Sequence, residues 1–319
     1  MSQSPEISVV IVSYNTREMT LAALESVEQQ TTETSIEVIV VDNGSEDGSA
    51  EAIAAKHPRV NLICSRTNLG FGQGNNLAAK NATGKRLLLL NPDTLVLDQA
   101  IDRLCSFADK YPQARMWGGR TLFADHSLNF TSCFATPSLF GLLCLATGLS
   151  NLFPNTPFFN KDSIGGWNRD SEREVAIISG CFMLLDREIW MELGGFSPEF
   201  FMYGEDWDLC LRARHLGARP MVDPISVIVH YGGASERVRS QKVVRNFTAK
   251  ALLFRRHWPK WKAAVAPLCM DMHALVRFLG YSGAGLFRAP ARASAGQWFT
   301  VLRKRRTWRR APVGQDLGK

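Results

Sequence analysis

The sequence predicts an α/β fold with a mostly parallel central sheet and helices on both faces. Short, nearly all-apolar β-branched runs alternate with segments of helical spacing through about residue 94, the pattern of strands buried on both faces. Each run stops at a small polar cluster, and open parallel sheets hold their ligands at the carboxyl ends of their strands.

Ile7 to Val12 reads as the first strand, ending at Ser13-Tyr14-Asn15. Arg17 to Gln30 has helical spacing through Met19, Leu21, Leu24 and Val27. Ile36 to Val41 is a second strand and stops at Asp42-Asn43-Gly44-Ser45. A helix from about Gly48 to Lys56, a strand over Val60–Cys64, a helix over Asn75–Ala82 and a strand over Arg86–Leu90 follow, the last ending at Asn91-Pro92-Asp93-Thr94. Asn68 to Asn76 is rich in glycine but matches neither a P-loop nor a dinucleotide fingerprint, so it is either a ligand loop or a plain flexible one. Further on, Glu174 to Leu185 returns to strand character with Gly180 in mid-strand, and Ile225 to Val229 forms a strand that ends at His230.

With 319 residues, 45% of them hydrophobic, the chain can bury a large core. The start has no basic segment followed by an apolar run, so no signal peptide is expected. Seven scattered cysteines without a Cys-x-x-Cys pair argue against a disulfide framework and a zinc site, and for a reducing compartment. From Phe247 onward there are 15 Lys and Arg against two acids, which leaves the preceding residues net acidic although the whole chain is +7. Charge distributed this way directs the C-terminal region, and not the body, at an anionic partner.

Two stretches are unusual. Ser127 to Asn160 carries no charged residue, and its apolar core, Leu139 to Leu149, is shorter than the ~20 residues of a spanning helix. It is either a core helix or one that lies in a membrane interface or covers an acceptor groove. Gly194 to Arg212 contains four large apolar residues, Phe200 to Tyr203, then Gly204 and the acids Glu205, Asp206 and Asp208. Carboxylates suit a helix N-terminus, and one held against an apolar wall also suits a general base.

These pieces in order resemble the family-2 glycosyltransferases of the GT-A fold, most closely their rhamnosyltransferase-like members from bacterial surface-polysaccharide pathways. The matching motifs are Val9–Asn15, Val38–Ser45, Asn68–Gly72, Leu89–Thr94, Ser179–Leu184, Gly194–Arg212 and His230, together spanning about residues 7–235. The resemblance implies a Rossmann-like GT-A domain over 1–240, divided at about residue 125 into a nucleotide-sugar-binding half and an acceptor half (126–240). A basic amphipathic helical region over 241–319 follows and is expected to associate with a membrane. It implies that Asp206, with Glu205 beside it, carries catalysis, Asp206 as the base. Ser13, Tyr14, Asn15, Asp42, Asn68, Gly70, Asn91, Asp93 and Gly180 would contact the nucleotide sugar, Asp42 accepting the imide hydrogen of a uracil- or thymine-type base. Asp93 and His230 would hold Mg²⁺ or Mn²⁺; Asn91 stands where the family's first metal-site Asp is expected.

The implied function is inverting transfer of one sugar, L-rhamnose from dTDP-rhamnose or a hexose from a UDP-sugar, to a lipid-linked or growing surface saccharide. The expected place is the cytoplasmic face of the inner membrane, with the basic region on anionic lipid and no nucleic-acid partner. No Gln-x-x-Arg-Trp sequence occurs, which separates the chain from processive synthases. A non-catalytic nucleotide- or lipid-binding module is the reading of another class, and Asn91 is its support.

Overall fold

The computed structural model describes residues 4–232 and 239–310. The chain divides into two compact units, one made of Met1–Phe134, Asn168–Phe201 and Glu205–Ser235, the other of Ala135–Trp167, Met202–Gly204 and Glu236–Lys319.

In chain order, the first unit begins with β1 (Ile7–Ser13), α1 (Arg17–Gln30), β2 (Ile36–Asp42), α2 (Ser49–Lys56), β3 (Asn61–Cys64), α3 (Phe71–Ala79) and β4 (Arg86–Leu90). It continues with β5 (Thr94–Val96), α4 (Ala100–Lys110), β6 (Met116–Leu122) and β7 (Cys133–Phe134). The second unit then contributes α5 (Leu139–Thr147) and α6 (Leu149–Leu152). Back in the first unit are β8 (Arg173–Glu174), β9 (Ile177–Ile178), β10 (Phe182–Asp186), α7 (Arg187–Leu193), α8 (Glu205–His215) and β11 (Met221–His230). The second unit ends with α9 (Arg239–His257), α10 (Lys260–Gly285), α11 (Ala289–Arg303) and α12 (Arg305–Arg309).

The main sheet has the order β3-β2-β1-β4-β10-β6-β11-β5, with β8 also on β11. β3, β2, β1 and β4 are mutually parallel, and all of Ile7–Ser13 is buried, as expected of an all-apolar strand in the middle of a covered sheet. β10 runs antiparallel to both β4 and β6, with Phe182 opposite Leu90. This reversal matters, because it brings the residues just before β10 to the edge where Asn91 leaves β4. β11 runs parallel to β6, and its last residue, His230, pairs with Thr94 of the antiparallel β5.

Several expectations need correction. The strand over Glu174–Leu185 is broken into three pieces, and Gly180 lies in the turn between β9 and β10, not in mid-strand. The strand expected over Ile225–Val229 is the end of the longer β11, whose register shifts between Asp223 and Val227 around Pro224. A proline in a strand removes one ladder donor, and a bulge is where a sheet tolerates it. Asp223 stabilises the bulge by accepting the N–H groups of Ile225 and Ser226. On the facing strand a Cβ at Gly119 would stand 2.1 Å from the Ser226 carbonyl oxygen, so only glycine fits there.

The glycine-rich segment is not a free loop. α3 starts at Phe71, four residues earlier than the apolar spacing suggests, and takes Gly72 and Gly74 into its first turns. A Cβ at Gly74 would lie 2.7 Å from Val12 Cγ1, so this glycine lets the helix close on β1. Gly70, at φ +80°, has the Phe201 carbonyl oxygen 2.4 Å from its would-be Cβ, and the Phe71 N–H donates to that oxygen over 3.2 Å.

In the second unit α5 is partly core: Gly141, Leu142, Cys144 and Ala146 are buried, whereas Phe140 and Leu143 are exposed. Ser138 caps α5 by accepting the Gly141 N–H, and Asp162 in turn accepts from the Ser138 hydroxyl over 2.8 Å. The aromatic residues of the basic C-terminal region are in part structural. Trp308 is fully buried edge-on to Phe247, and Trp298 packs against His273, whose Nδ1 lies 2.9 Å from the Leu145 carbonyl. Burial holds this imidazole at about 4, so it is neutral at physiological pH. Asp271 and Arg309 form an ion pair between α10 and α12. By length and composition α10 is the one helix among the described residues able to cross a membrane.

The glycines give a contrast in sign. Gly119→Ala should lower stability by about 1–3 kcal/mol, because its Cβ meets backbone that cannot retreat. Gly296→Ala, in the interior of α11 with open space around it, should raise it by roughly 0.5–1 kcal/mol. Urea midpoints measured with unchanged slope check both.

Candidate functional site

The site is assembled from strand ends of the first unit. His230 Nε2 lies 3.2 Å from Asp93 Oδ1 and 3.2 Å from Asn91 Nδ2. Asp93 and His230 are held together by the β5–β11 pairing and by the Tyr231 N–H, which donates to the Asp93 carbonyl over 3.0 Å. Asn91 is fixed by the Thr94 hydroxyl on its carbonyl (2.7 Å) and by its own N–H on the Cys181 carbonyl (3.1 Å).

The Cys181 bond links this cluster to the carboxylate motif. One residue earlier, the Gly180 N–H donates to Asp206 Oδ2 over 3.1 Å, and the Trp207 N–H donates to Oδ1 over 2.8 Å. A run of hydrogen bonds through Gly180-Cys181 and Asn91 therefore connects Asp206 with the Asp93–His230 cluster. Burial raises the Asp206 carboxyl above the ordinary aspartate value, against the opposing donations from the Gly180 and Trp207 backbone. That combination gives a carboxylate which is half-buried yet held in one orientation. Glu205, the first residue of α8, is buried.

α8 is anchored from beneath. Asp208 has no exposed surface and accepts from the Ser197 hydroxyl and from Arg212 Nε, each over 2.7 Å. The Arg212 guanidinium also donates to the Leu193 and Gly195 carbonyls. Of the three acids in this motif, Asp208 thus has a structural task.

The residues expected on the nucleotide side form a second group at the ends of β1 and β2 and in the turn before α3. The Asn43 N–H donates to the Ser13 carbonyl over 2.8 Å. Asp42 is buried; its Oδ2 accepts the Ser45 N–H, and its Oδ1 is a buried oxygen with no partner. Asn15, at φ 51°, accepts the Glu46 N–H and donates its own N–H to the Ser45 hydroxyl, while Tyr14 is exposed. Ser13 differs from its neighbours: it is fully buried, and its hydroxyl is shared with Thr16 and Thr20. Asn68 Oδ1 accepts the Gly70 N–H over 2.8 Å and the Asn43 side-chain amide over 3.0 Å.

Asn43 is a residue that the reading of the sequence left out of the site. Its Oδ1 accepts the Leu69 N–H while its Nδ2 reaches Asn68 and the Gly70 carbonyl, so it ties the end of β2 to the turn before α3. Its place inside the Asp42–Ser45 cluster was the available signal. Cys181 was also overlooked; its thiol is among the groups that favour the charged form of His230. Burial disfavours charge on His230, but Cys181 and the Asp93 carboxylate outweigh it and raise the imidazole well above its ordinary value.

The arrangement fits a divalent cation on the donor chemistry alone: a carboxylate and an imidazole lie 3.2 Å apart, and the Asn91 side chain, whose Oδ1 is buried and unpartnered, reaches the same imidazole through its Nδ2.

The family model described as glycosyl transferase family 2 matches residues 8–194. The chain belongs to this family. Among curated relatives of the transferase is the N-acetylglucosaminyl-diphospho-decaprenol L-rhamnosyltransferase of Mycobacterium tuberculosis, 27% identical over 269 residues, or 77% of this chain and 85% of that protein. Rhamnosyltransferase WbbL of Escherichia coli is 29% identical over 188 residues, 55% of this chain and 66% of that one. Among solved structures, mannosyltransferase PcManGT from Pyrobaculum calidifontis, in complex with GDP-Man and Mn²⁺, superposes with a TM-score of 0.58 at 17% identity, covering 95% of this chain and 88% of that one. At that identity the likeness concerns the fold, which is GT-A. Asp206 and His230 lie beyond the stretch matched by the family model.

The buried Asp208–Arg212 pair should be the most sensitive part of the site's scaffold. Asp208→Ala leaves a buried guanidinium uncompensated and should cost about 3–5 kcal/mol, read as a lowered urea midpoint of the purified protein.

Proposed function

We propose that the transferase moves a single sugar, L-rhamnose from dTDP-rhamnose, to a lipid-linked saccharide with inversion at the anomeric carbon. The observation that carries this reading is the junction of Asp206 with the Asn91–Asp93–His230 cluster through Gly180-Cys181. A glycosyl transfer needs a base on one side of the anomeric carbon and charge neutralisation on the other. The named relatives supply the sugar and the class of acceptor: one is a rhamnosyltransferase acting on a diphospho-decaprenol saccharide.

Asp42, with its unpartnered Oδ1, is suited to accept the imide N–H of the base, and Tyr14 to cover the base or ribose. Asn68 and Gly70 border the phosphates, with Asn43 holding them in place. Gly180 lies beside the donor sugar, where its lack of a side chain leaves room; a Cβ there would already touch the Phe71 ring at 3.1 Å. Asp93, His230 and Asn91 Oδ1 would hold Mg²⁺ or Mn²⁺. When bound, the cation would neutralise charge that accumulates on the departing diphosphate.

Asp206 acts as base. The acceptor hydroxyl attacks the anomeric carbon, its proton passes to Asp206, and the bond from that carbon to the diphosphate oxygen breaks. The carboxylate already accepts two backbone N–H groups, which aim it without supplying a proton of their own. Its raised value makes it a better base than an exposed aspartate. Glu205, buried beside it, shapes the pocket. The place of action is the cytoplasmic face of the membrane, with the transferase held peripherally on anionic lipid.

Two outcomes are expected. Asp206→Asn should lower transfer by about 10²–10⁴-fold while the thermal shift produced by the donor stays nearly unchanged. In the unaltered protein the rate should rise with pH through an acid limb that lies above the ordinary aspartate value, because only the deprotonated carboxylate can accept the proton. For the donor, dTDP-rhamnose, UDP-galactose, UDP-glucose and GDP-mannose are compared in Mn²⁺. Turnover with dTDP-rhamnose alone supports the proposal, and turnover confined to a UDP-sugar refutes its donor.

A further inference from the structure

The second unit has an apolar stripe that none of its described residues covers. Trp261, Leu268, Leu275 and Leu279 on α10 are exposed, as are the C-cap residue Leu286, to 76%, and Phe287, just past it, to 88%. At 3.6 residues per turn the first five lie within roughly 40° of one another around the helix axis. They form one face over the full length of α10, about 37 Å at 1.5 Å per residue. No charged residue lies within this sector, although Asp271, three residues after Leu268 and four before Leu275, borders it.

The other side of α10 is occupied. Ala263, Ala266, Cys269, Met270, His273 and Ala274 are buried. There the helix carries the His273–Leu145 hydrogen bond to α5; the Asp271–Arg309 ion pair to α12 lies on its flank, about 60° round the axis from the centre of the stripe. A helix spanning a bilayer would take an aspartate, an arginine and a histidine into hydrocarbon or have to shed its packed neighbours. A helix lying in the interface keeps all of these contacts and wets only its opposite side.

The surroundings of the stripe indicate what covers it. Lys260 and Lys262 bracket Trp261 at one end, and Arg288 and Arg292 follow Phe287 at the other. From Phe247 on, cations outnumber acids 15 to two. A second copy of the same basic surface would be repelled, whereas anionic headgroups complement it, with a contribution of the kind a polybasic segment makes at such a surface. An apolar face with cations at its margins and an aromatic at each end is the composition of an in-plane anchor.

We propose that α10 is a monotopic anchor. It lies parallel to the membrane with Trp261, Leu268, Leu275, Leu279, Leu286 and Phe287 inserted among the acyl chains, and its flanking cations at anionic headgroups. This rests on the peripheral placement proposed above and adds the surface that achieves it. The catalytic residues take no part.

The test is flotation of the full-length protein with vesicles of phosphatidylcholine, alone or with about 30% phosphatidylglycerol, at two salt concentrations. The unaltered protein should float with the anionic vesicles and be released as salt rises. Leu279→Glu combined with Phe287→Glu should lower partition at least tenfold, each exposed side chain losing its burial in lipid. Far-ultraviolet circular dichroism and donor turnover should stay unchanged, which separates lost anchoring from lost folding. Quenching of tryptophan emission by lipids brominated near the headgroup should weaken in Trp261→Phe. If the unaltered protein ignores every vesicle, both the peripheral placement and the anchor fall. If it floats and the double variant floats equally well, the placement survives and the α10 face is wrong. Protease protection of α10 from both sides of sealed vesicles would make it a spanning helix, and a lipid-independent dimer abolished by the double variant would make the face a subunit contact; either overturns the proposal.

Discussion

The hydrogen bond from the Gly180 backbone to Asp206 is the constraint on which the site depends. It is a small interaction, yet together with the contact between Ile178 and Cys210 it joins the segment before β10 to α8. β10 enters the sheet backwards, so the turn before it arrives at the end of β4. That turn then has one N–H for Asp206 and, one residue on, one carbonyl for Asn91. A parallel strand in the same slot would carry residues 179–181 to the far edge of the sheet. Strand direction, a property of the whole fold, decides which carboxylate faces which imidazole.

Around this contact the molecule separates two kinds of carboxylate. Asp208 and Asp223 are buried acceptors for hydroxyls and backbone, and they stiffen α8 and the β11 bulge. Asp42, Asp93 and Asp206 lie at strand ends or a helix start, and none of them is tied to a buried cation as Asp208 is; one Asp42 oxygen has no partner at all. The contrast follows from local environment, since each is an aspartate with the same intrinsic chemistry. It also explains why α8 can carry three acids in its first four residues. One is neutralised from below by Arg212, one is held by two amides, and all three lie at the favourable end of the helix dipole.

Much of this was legible in the sequence, for identifiable reasons. The strands of the first half are fully buried, so their apolar runs are unbroken and their ends are marked by sharp polar clusters; α1 and β4 fall where spacing puts them. What could not be read is whatever depends on a distant partner. The start of α3 is hidden because Gly72 and Gly74 are answers to Phe196 and Val12, not to helix propensity. The strand expected through Gly180 is interrupted because the chain there serves Asp206 and Asn91, neither of which is near it in sequence. Ser13 sits in the right motif but turns its hydroxyl inward to Thr16 and Thr20. In the basic region, aromatic and cationic residues are intermixed in the sequence, and only three-dimensional packing separates the buried Trp298 and Trp308 from the exposed Trp261.

The distribution of sulfur offers a practical opening. Six of the seven cysteines are buried, and burial pushes the Cys105 and Cys210 thiols up to about 12, which leaves them unreactive at neutral pH. Cys64 alone is exposed, at the end of the outermost parallel strand and in register with Asp42. A thiol-directed dye would therefore attach at a single position beside Asp42, the residue proposed to face the nucleotide base. The natural sequence thus already contains a fluorescent reporter site for donor occupancy, with no cysteine to be removed or introduced.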